Sequence, residues 1–257
     1  MGRLVILSGP SCVGKGPLCA ALAKFYPELA ARLRKVVLHT SRAPRPAEVD
    51  GVDYHFRTRQ QVEALRGKSD HLVLEIRGDL QAIDLREIDR LLAEGDAFLD
   101  ANPIMAGELR GRPLAPGAGR LSVYLSPLSR EEILYLKAPE RNISLADFVA
   151  KLMRAKLLRR TTRQRGLLSL AELEDIERRA TRACAEMKEA RRYDHVLPNH
   201  DGEDSENWSA FYYPIGDARR TLLAFADLLE GRVPPVAEKW EEGLIPWPGF
   251  AASGQGL

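Results

Sequence analysis

The fold predicted for this chain depends on one stretch near its start, Gly9-Pro10-Ser11-Cys12-Val13-Gly14-Lys15-Gly16. An apolar run at residues 4–7 precedes this stretch, and a helical pattern at residues 18–23 follows it. A glycine-rich loop between a strand and a helix is the setting of a phosphate-binding P-loop. Its glycines let several backbone N–H groups point at one anion, and the helix N-terminus favours negative charge. Lys15 adds a positive charge for the outer phosphates of a nucleotide.

Composition limits the class of protein. The chain has 257 residues, a net charge of +2 and three cysteines. It is long enough for one large α/β domain or for a core with subdomains. The small net charge argues against nucleic-acid binding driven by bulk charge. We expect a soluble cytoplasmic protein without a membrane span, because no apolar run approaches the roughly 20 residues that a span needs, and the cysteines have no metal-ligand spacing.

Segments with strand patterns alternate with segments with helical patterns. The predicted strands are 3–8, 35–40, 71–76, 96–101, 120–125 and 194–197. The predicted helices are the segment that follows the P-loop to Phe25, 59–66, a helix over Leu85–Leu92, one that begins after Ser129, 144–165, 169–192 and 216–230. This alternation predicts an α/β fold with a mostly parallel, doubly wound sheet and helices on both faces.

Ligands of such sheets bind at the carboxyl ends of the strands. That rule places the loop Gly9–Lys15 on one rim of the sheet together with Thr40, Glu75 and Asp100.

A second informative stretch extends from Thr40 to Phe56. Arg42 and Arg45 are three residues apart among prolines, a spacing suited to gripping a phosphate, and Tyr54 adds a hydroxyl donor. By themselves the arginines also fit a solvated basic loop. Together with the P-loop, the stretch resembles the nucleoside-monophosphate-binding segment of guanylate kinases, which reads Thr-Thr-Arg-x-Pro-Arg-x-Gly-Glu-Val-x-Gly-x-Asp-Tyr-x-Phe. The resemblance covers most of residues 3–200.

The resemblance implies a P-loop NTPase fold in three parts. Residues 1–34 and 84–231 are expected to form the core, with a helical lid at about 144–180. Residues 35–83 are expected to form the nucleoside-monophosphate subdomain, and residues 232–257 an extended C-terminal tail.

The resemblance also implies roles for matching residues. Residues Gly9 to Gly16 would bind ATP, with Asn199 near the adenine, and Arg42, Arg45 and Tyr54 would hold the phosphate of GMP. Glu75 would read the guanine N1–H and amino group, and Asp100 would hold Mg²⁺ through water. Lys15, Arg165 and Arg179 would stabilise the transferring phosphoryl group, with Arg160 and Arg163 as companions in the lid.

Several positions depart from the family pattern. Leu38 stands where the family has the hydroxyl that bonds guanine O6, and Gln81 and Ile83 replace a tyrosine and a hydroxyl residue near the phosphate. Asn102 replaces a second strand-end acid. Gly16 and Pro17 follow the P-loop lysine without the hydroxyl that usually binds Mg²⁺, so we expect altered metal binding rather than none. About 20 additional residues, roughly 135–156, precede the lid.

The leading hypothesis is an ATP-dependent nucleoside-monophosphate kinase, most simply a guanylate kinase, acting with Mg²⁺ as a monomer or homodimer by direct in-line transfer. Two alternatives stay open. One is a kinase on the same scaffold with a different phosphorylated acceptor. The other is a catalytically weak module that binds nucleotides or other proteins.

Overall fold

The structure, a computed structural model, describes residues 2–44 and 48–245. The chain folds into two compact units. Unit 1 consists of the described residues of Met1–Leu7 and Ala30–Ser122, and unit 2 of those of Ser8–Leu29 and Val123–Leu257.

Strands and helices alternate along the described chain. The strands are β1 (Arg3–Ser8), β2 (Leu33–Lys35), β3 (His39–Thr40), β4 (His55–Phe56), β5 (His71–Ile76), β6 (Asp79–Asp84), β7 (Asp96–Asp100), β8 (Gly119–Ser126) and β9 (His195–Pro198). The helices are α1 (Lys15–Phe25), α2 (Pro27–Arg32), α3 (Arg59–Glu63), α4 (Leu85–Glu94), α5 (Pro103–Gly111), α6 (Arg130–Lys137), α7 (Leu145–Arg165), α8 (Leu170–Met187) and α9 (Gly216–Leu229).

Parallel strands form the centre of unit 1. β7 lies between β2 and β1 and is parallel to both, with Leu7 aligned with Asp100. Residues 4–7 of β1 are fully buried, as expected for a strand covered on both faces. The predicted parallel arrangement of β1 and β7 is therefore present.

A second sheet in unit 1 has the strand order β4-β3-β6-β5. The single strand predicted over residues 35–40 is wrong, because the chain divides there between the two sheets. β2 pairs with β7, whereas β3 pairs with β4 and β6. Consequently Thr40 and Glu75 belong to a different sheet from Asp100, and the prediction that strand ends of one sheet bring these three residues to one rim is wrong.

β5 and β6 form a hairpin that the sequence analysis did not predict. Arg77 and Gly78 form its turn, with φ values of 60° and 94°, the backbone that suits a two-residue hairpin. In β6, Leu80 and Ala82 are buried on one face of the strand, and Ile83 is buried on the other.

The two faces of this second sheet differ. Val73, Leu80 and Ala82 pack with Val62 of α3, which defines the α3 face. Because side chains alternate along a strand, Gln81 lies on the opposite face, where its cross-strand neighbour is Thr40. We call this opposite surface the Gln81 face.

Unit 2 contains the P-loop and α1, together with β8 and β9, which pair in parallel. α7 and α8 pack along each other, and Gly166 ends α7 with a φ of 76°. The predicted C-terminal tail is packed over its described part: Glu238 pairs with Val196, and Trp240 and Leu244 are buried. Residues 246–257 lie outside the described residues.

Candidate functional site

The P-loop has the curled backbone that a phosphate cradle needs. Gly9, Cys12 and Gly14 have φ values of 147°, 66° and 106°. Gly14 is the N-cap of α1, so the free N–H groups at the start of that helix follow directly after the loop. Lys15 Nζ donates to the carbonyl of Gly9 at 3.2 Å, which holds the ammonium group across the loop. The arrangement suits a bound polyphosphate.

A loop at residues 199–208 contacts the P-loop through hydrogen bonds. Asn199 is fully buried, and its Nδ2 donates to the carbonyls of Val13 and Asp201, both at 2.7 Å. Trp208 Nε1 donates to the carbonyl of Asp201 at 2.8 Å. Both amide protons of Asn199 are therefore used inside unit 2, which makes Asn199 a positioning residue for the P-loop.

Cations of α7 fasten this supporting loop. Arg159 donates to Asp204 Oδ2 at 2.7 and 2.9 Å, and Lys156 Nζ lies 3.7 Å from Asp204 Oδ1. Lys156 also donates to the carbonyl of His200, and Arg163 donates to that of Asp204 at 2.6 Å. Lys156 and Asp204 are both at most 5% exposed. The sequence did not predict this pair, because no local pattern marks a contact between residues so far apart in the chain.

Cys12 in the P-loop is packed rather than reactive. Its side chain is buried, and burial, together with the nearby Glu203 carboxylate, raises the pKa of the thiol far above its ordinary value. A thiol that stays protonated is a poor nucleophile. Cys12 therefore contributes to the P-loop through its packing and its backbone conformation, and not through thiol chemistry.

The two predicted lid arginines are held by carboxylates of α8. Arg165 lies 2.9 Å from Glu172, and Arg179 lies 2.6 Å from Asp175. Burial acts to raise the pKa of Asp175, but the charges and hydrogen bonds of Arg179 and Arg178 together outweigh burial, and the pKa is lowered. Both guanidinium groups are therefore oriented by ion pairs within unit 2.

Arg42 of the predicted phosphate grip is positioned in unit 1 by Glu48. The two side chains form paired hydrogen bonds of 2.6 and 2.7 Å, and Arg42 lies over the Tyr54 ring at 5.0 Å. Burial acts to lower the pKa of Arg42, but the Glu48 hydrogen bond and charge raise it. Arg42 is therefore permanently charged and fixed in orientation. Arg45, the second predicted arginine, lies outside the described residues.

Glu75 is on the α3 face. It is the cross-strand neighbour of Leu80, and its carboxylate lies 3.3 Å from Arg59, with 59% of the side chain exposed. The structure therefore does not bring Glu75 together with Thr40 and Gln81. The strand-end position was visible in the sequence, but the face depends on the register set by the turn at Arg77 and Gly78.

Two amide side chains that the sequence analysis treated only as departures are joined in the structure. Asn102 Nδ2 donates to Gln81 Oε1 at 3.2 Å. Asn102 Oδ1 accepts from the N–H groups of Ile104 and Met105 at 2.9 and 3.1 Å and so caps α5. Leu38 and Ile83 of unit 1 are 3% and 0% exposed.

Asp100, the predicted metal residue, ends β7 and is half-buried. No group of three or more histidine, cysteine or acidic residues able to hold a metal ion occurs among the residues that the structure describes. Mg²⁺ keeps several waters and needs only one or two carboxylates besides the phosphates of its substrate. A single strand-end carboxylate fits that donor set. Within the described ranges, no helix has both the length and the apolar character to cross a membrane.

Comparison with known proteins gives consistent matches. The sequence model of a family described as "Guanylate kinase" matches residues 1–155. A protein named guanylate kinase from Alkalilimnicola ehrlichii is 33% identical over 239 residues, covering 92% of this chain and 96% of the relative. Another, from a Synechococcus strain, is 33% identical and covers 83% of each chain. The crystal structure of guanylate kinase from Anaplasma phagocytophilum aligns over 90% of this chain and 85% of that one, at 18% identity and a TM-score of 0.50. This structural likeness confirms the predicted α/β P-loop fold.

Proposed function

This chain belongs to the guanylate kinase family, and from that premise we propose that it transfers the γ-phosphoryl group of ATP to GMP, giving ADP and GDP. The observation that carries the proposal is the P-loop of unit 2, with its left-handed glycine cap and the Lys15 ammonium held across it. A fixed charged arginine in the acceptor segment of unit 1 supports the same reaction.

The proposed chemistry is a direct displacement. A phosphate oxygen of GMP attacks the γ-phosphorus of ATP, a new P–O bond forms, and the bond to the β-phosphate oxygen breaks as ADP leaves. Lys15 and the P-loop backbone bind the outer phosphates of ATP, and Arg42, Arg45 and Tyr54 bind the acceptor phosphate. Arg165 and Arg179 neutralise charge on the transferred group. Positioning and electrostatics suffice, so no covalent intermediate is required.

Mg²⁺ is the implied cofactor. Asp100 would hold it through water, and the ion would neutralise charge on the phosphates of ATP. Because Gly16 and Pro17 supply no hydroxyl beside Lys15, this chain offers fewer protein ligands than a P-loop with serine or threonine there.

The proposal is tested by measuring ADP formation from MgATP with GMP, dGMP, AMP, CMP and UMP in turn. We expect GMP to stimulate ADP formation most and Lys15→Met to remove that stimulation. Background ADP without acceptor is the control. If no monophosphate stimulates ADP formation by the intact chain, the proposed function is wrong.

One observation favours a second candidate, a kinase of the same fold with another phosphorylated acceptor. Glu75, the predicted guanine-reading residue, is on the α3 face, and Leu38 and Ile83 place aliphatic side chains where the family has hydroxyls. Adding ribose phosphates to the same assay tests this candidate. A ribose phosphate that exceeds GMP in kcat/KM would favour it.

The monomeric or homodimeric state, the cytoplasmic location and the absence of nucleic-acid partners stay predictions.

A further inference from the structure

Asn102 can present only one end of its amide to Gln81. Its Oδ1 accepts two backbone N–H groups of the first turn of α5, so the carbonyl end of the amide is committed to the helix. The NH₂ end is therefore the one that reaches Gln81, at 3.2 Å. The helix cap thus decides the orientation of the Asn102 side chain.

The orientation of Gln81 follows from that of Asn102. An amide that receives a hydrogen bond must offer its oxygen, so Gln81 Oε1 faces Asn102 and Nε2 faces away from it. Among the residues that the structure describes, nothing accepts a hydrogen bond from Gln81 Nε2. Gln81 is half-buried, and among the described residues its Nε2 is not one of the fully buried side-chain polar atoms that lack a hydrogen-bond partner.

The surroundings of Gln81 are those of the predicted phosphate grip. Its cross-strand neighbour on the Gln81 face is Thr40, and Thr40 Oγ1 accepts from the backbone N–H of Arg42 at 3.4 Å. Phe56, the next cross-strand neighbour of Thr40, lies under the Arg42 guanidinium at 5.6 Å. The ion pair with Glu48 partly neutralises the charge of Arg42. A second hydrogen-bond donor on this face therefore strengthens the binding of an anion.

Resting on the proposed function, we infer that Gln81 binds the acceptor nucleotide through its Nε2 amide, which donates to a phosphate oxygen, and that Asn102 positions it. The residue that replaces the family tyrosine is therefore a donor in its own right. Asn102 belongs at its position because only a side chain that accepts from α5 and donates to Gln81 holds the amide this way round.

If Asn102 were only a lost acid of the family pattern, restoring the acid should not weaken GMP binding. The inference predicts that it does weaken GMP binding. In Asn102→Asp the carboxylate still caps α5, but it has no hydrogen to donate, so Gln81 must turn its Nε2 toward residue 102. Its oxygen then faces the acceptor phosphate and repels it. We expect KM for GMP to rise about tenfold, the size of one lost hydrogen bond to a charged group, with KM for ATP unchanged.

The experiment compares initial rates and calorimetric GMP binding for the intact chain and four variants, N102D, Q81A, Q81E and the double variant N102D/Q81A. Q81A and Q81E should weaken GMP binding like N102D, and the double variant should be no worse than Q81A alone, because both changes remove one contact. Gln60→Glu on the exposed surface of α3 is the matched control for one added negative charge and should leave KM for GMP unchanged. Unchanged or tighter GMP binding in N102D, or additive losses in the double variant, would overturn the inference.

Two fragments separate phosphate recognition from base recognition. Ribose 5-phosphate binding should weaken in N102D, whereas guanosine binding should stay the same. Weakened guanosine binding would instead show that the amide reads the base, against the inference. These binding measurements need no turnover, so they remain decisive if the chain shows no kinase activity and the proposed function fails.

Discussion

At the residue scale, the P-loop glycines differ sharply in what they tolerate. An ideal Cβ on Gly14 would lie 2.4 Å from Asn199 Nδ2 and 2.8 Å from the carbonyl oxygen of Asp201, and the φ of 106° disfavours any L side chain. On Gly16 the same atom would meet nothing within 4 Å. The two glycines are two residues apart, yet only Gly14 is required by its surroundings.

Replacing Gly14 by alanine should therefore be costly. We expect Gly14→Ala to lower the free energy of unfolding by about 2 kcal/mol or more, through backbone strain and the clash with Asn199. Gly16→Ala, in the first turn of α1, should change it by less than about 1 kcal/mol. Urea unfolding of the two variants measures the difference, and equal losses would contradict the argument.

At the scale of elements, the loop at residues 199–208 links α7 to the P-loop within unit 2. Asn199 bonds the P-loop, and Asp204 of the same loop receives Arg159 and lies beside Lys156. The buried lysine and aspartate make this loop sensitive to the loss of either charge.

Asp204→Ala should be far more harmful than Arg159→Ala. Removing the carboxylate leaves the Lys156 ammonium buried without its ion pair, at a cost of about 3 kcal/mol. The Arg159 side chain is 55% exposed, so its loss should cost less than about 1 kcal/mol. Thermal unfolding reports the stability, and KM for ATP should rise only in Asp204→Ala. A loss in Arg159→Ala that matches the loss in Asp204→Ala would show that the buried pair is not what holds the loop.

The β5–β6 hairpin shows how one turn decides the face of a side chain. Register pairs Glu75 with Leu80 and Leu74 with Gln81, so Glu75 shares the face of α3. The sequence reveals that Glu75 is near a strand end, but its face follows from the turn.

Glu75→Gln tests directly whether Glu75 lies on the α3 face and away from the acceptor. With the carboxylate on the α3 face, we expect KM for GMP to change by less than about twofold and stability to fall by less than about 1 kcal/mol, the loss of an exposed ion pair with Arg59. GMP-dependent initial rates measure the first quantity. A tenfold rise in KM would place Glu75 in the acceptor site after all.

At the scale of the whole molecule, two histidines with opposite pKa shifts predict how stability depends on pH. Burial lowers the pKa of His39 to about 4, helped by the charges of His55 and Arg57, although Asp84 opposes them. Burial also acts to lower the pKa of His200, but hydrogen bonds to Asp217 and Glu132 raise it above the ordinary value.

The signs follow from proton binding. Between pH 4 and 6.5 the unfolded chain protonates His39 and the folded chain does not, so stability should fall as pH decreases through this range, by at most about 3 kcal/mol. His200 binds its proton more tightly when folded, so its contribution is complete below pH 6.5 and is lost as pH rises through its raised pKa. Urea unfolding from pH 4.5 to 9 should show a maximum near neutral pH.

Two variants show which histidine causes the fall in stability on the acid side (the acid limb) and on the alkaline side (the alkaline limb) of this pH curve. His39→Gln should flatten the acid limb relative to the parent chain, and His200→Gln should flatten the alkaline limb. Unchanged slopes in either variant would show that the other titrating groups account for that limb.

Local sequence was sufficient for the P-loop, for the family, which is confirmed, and for the starts of three helices, predicted after Ser129, at residue 144 and at residue 169. The P-loop is eight consecutive residues whose shape arises from their own glycines and the helix that follows. Ser129, Ser144 and Ser169 cap α6, α7 and α8 through bonds three residues away. Such features depend on neighbours in the chain, so a pattern of residue types predicts them.

Tertiary structure alone decided the rest. The face on which Glu75 lies depends on the register of the β5–β6 hairpin. The orientation of the Gln81 amide depends on its hydrogen bond with Asn102. The position of the loop at residues 199–208 depends on the ion pair between Lys156 and Asp204. Each depends on which distant residues meet, and the free energy of those interactions comes from burial and hydrogen bonding that no local pattern encodes. The sequence by itself therefore determined the phosphate-binding loop and its family, whereas the three-dimensional packing decided on which face of the second sheet Glu75 and Gln81 lie.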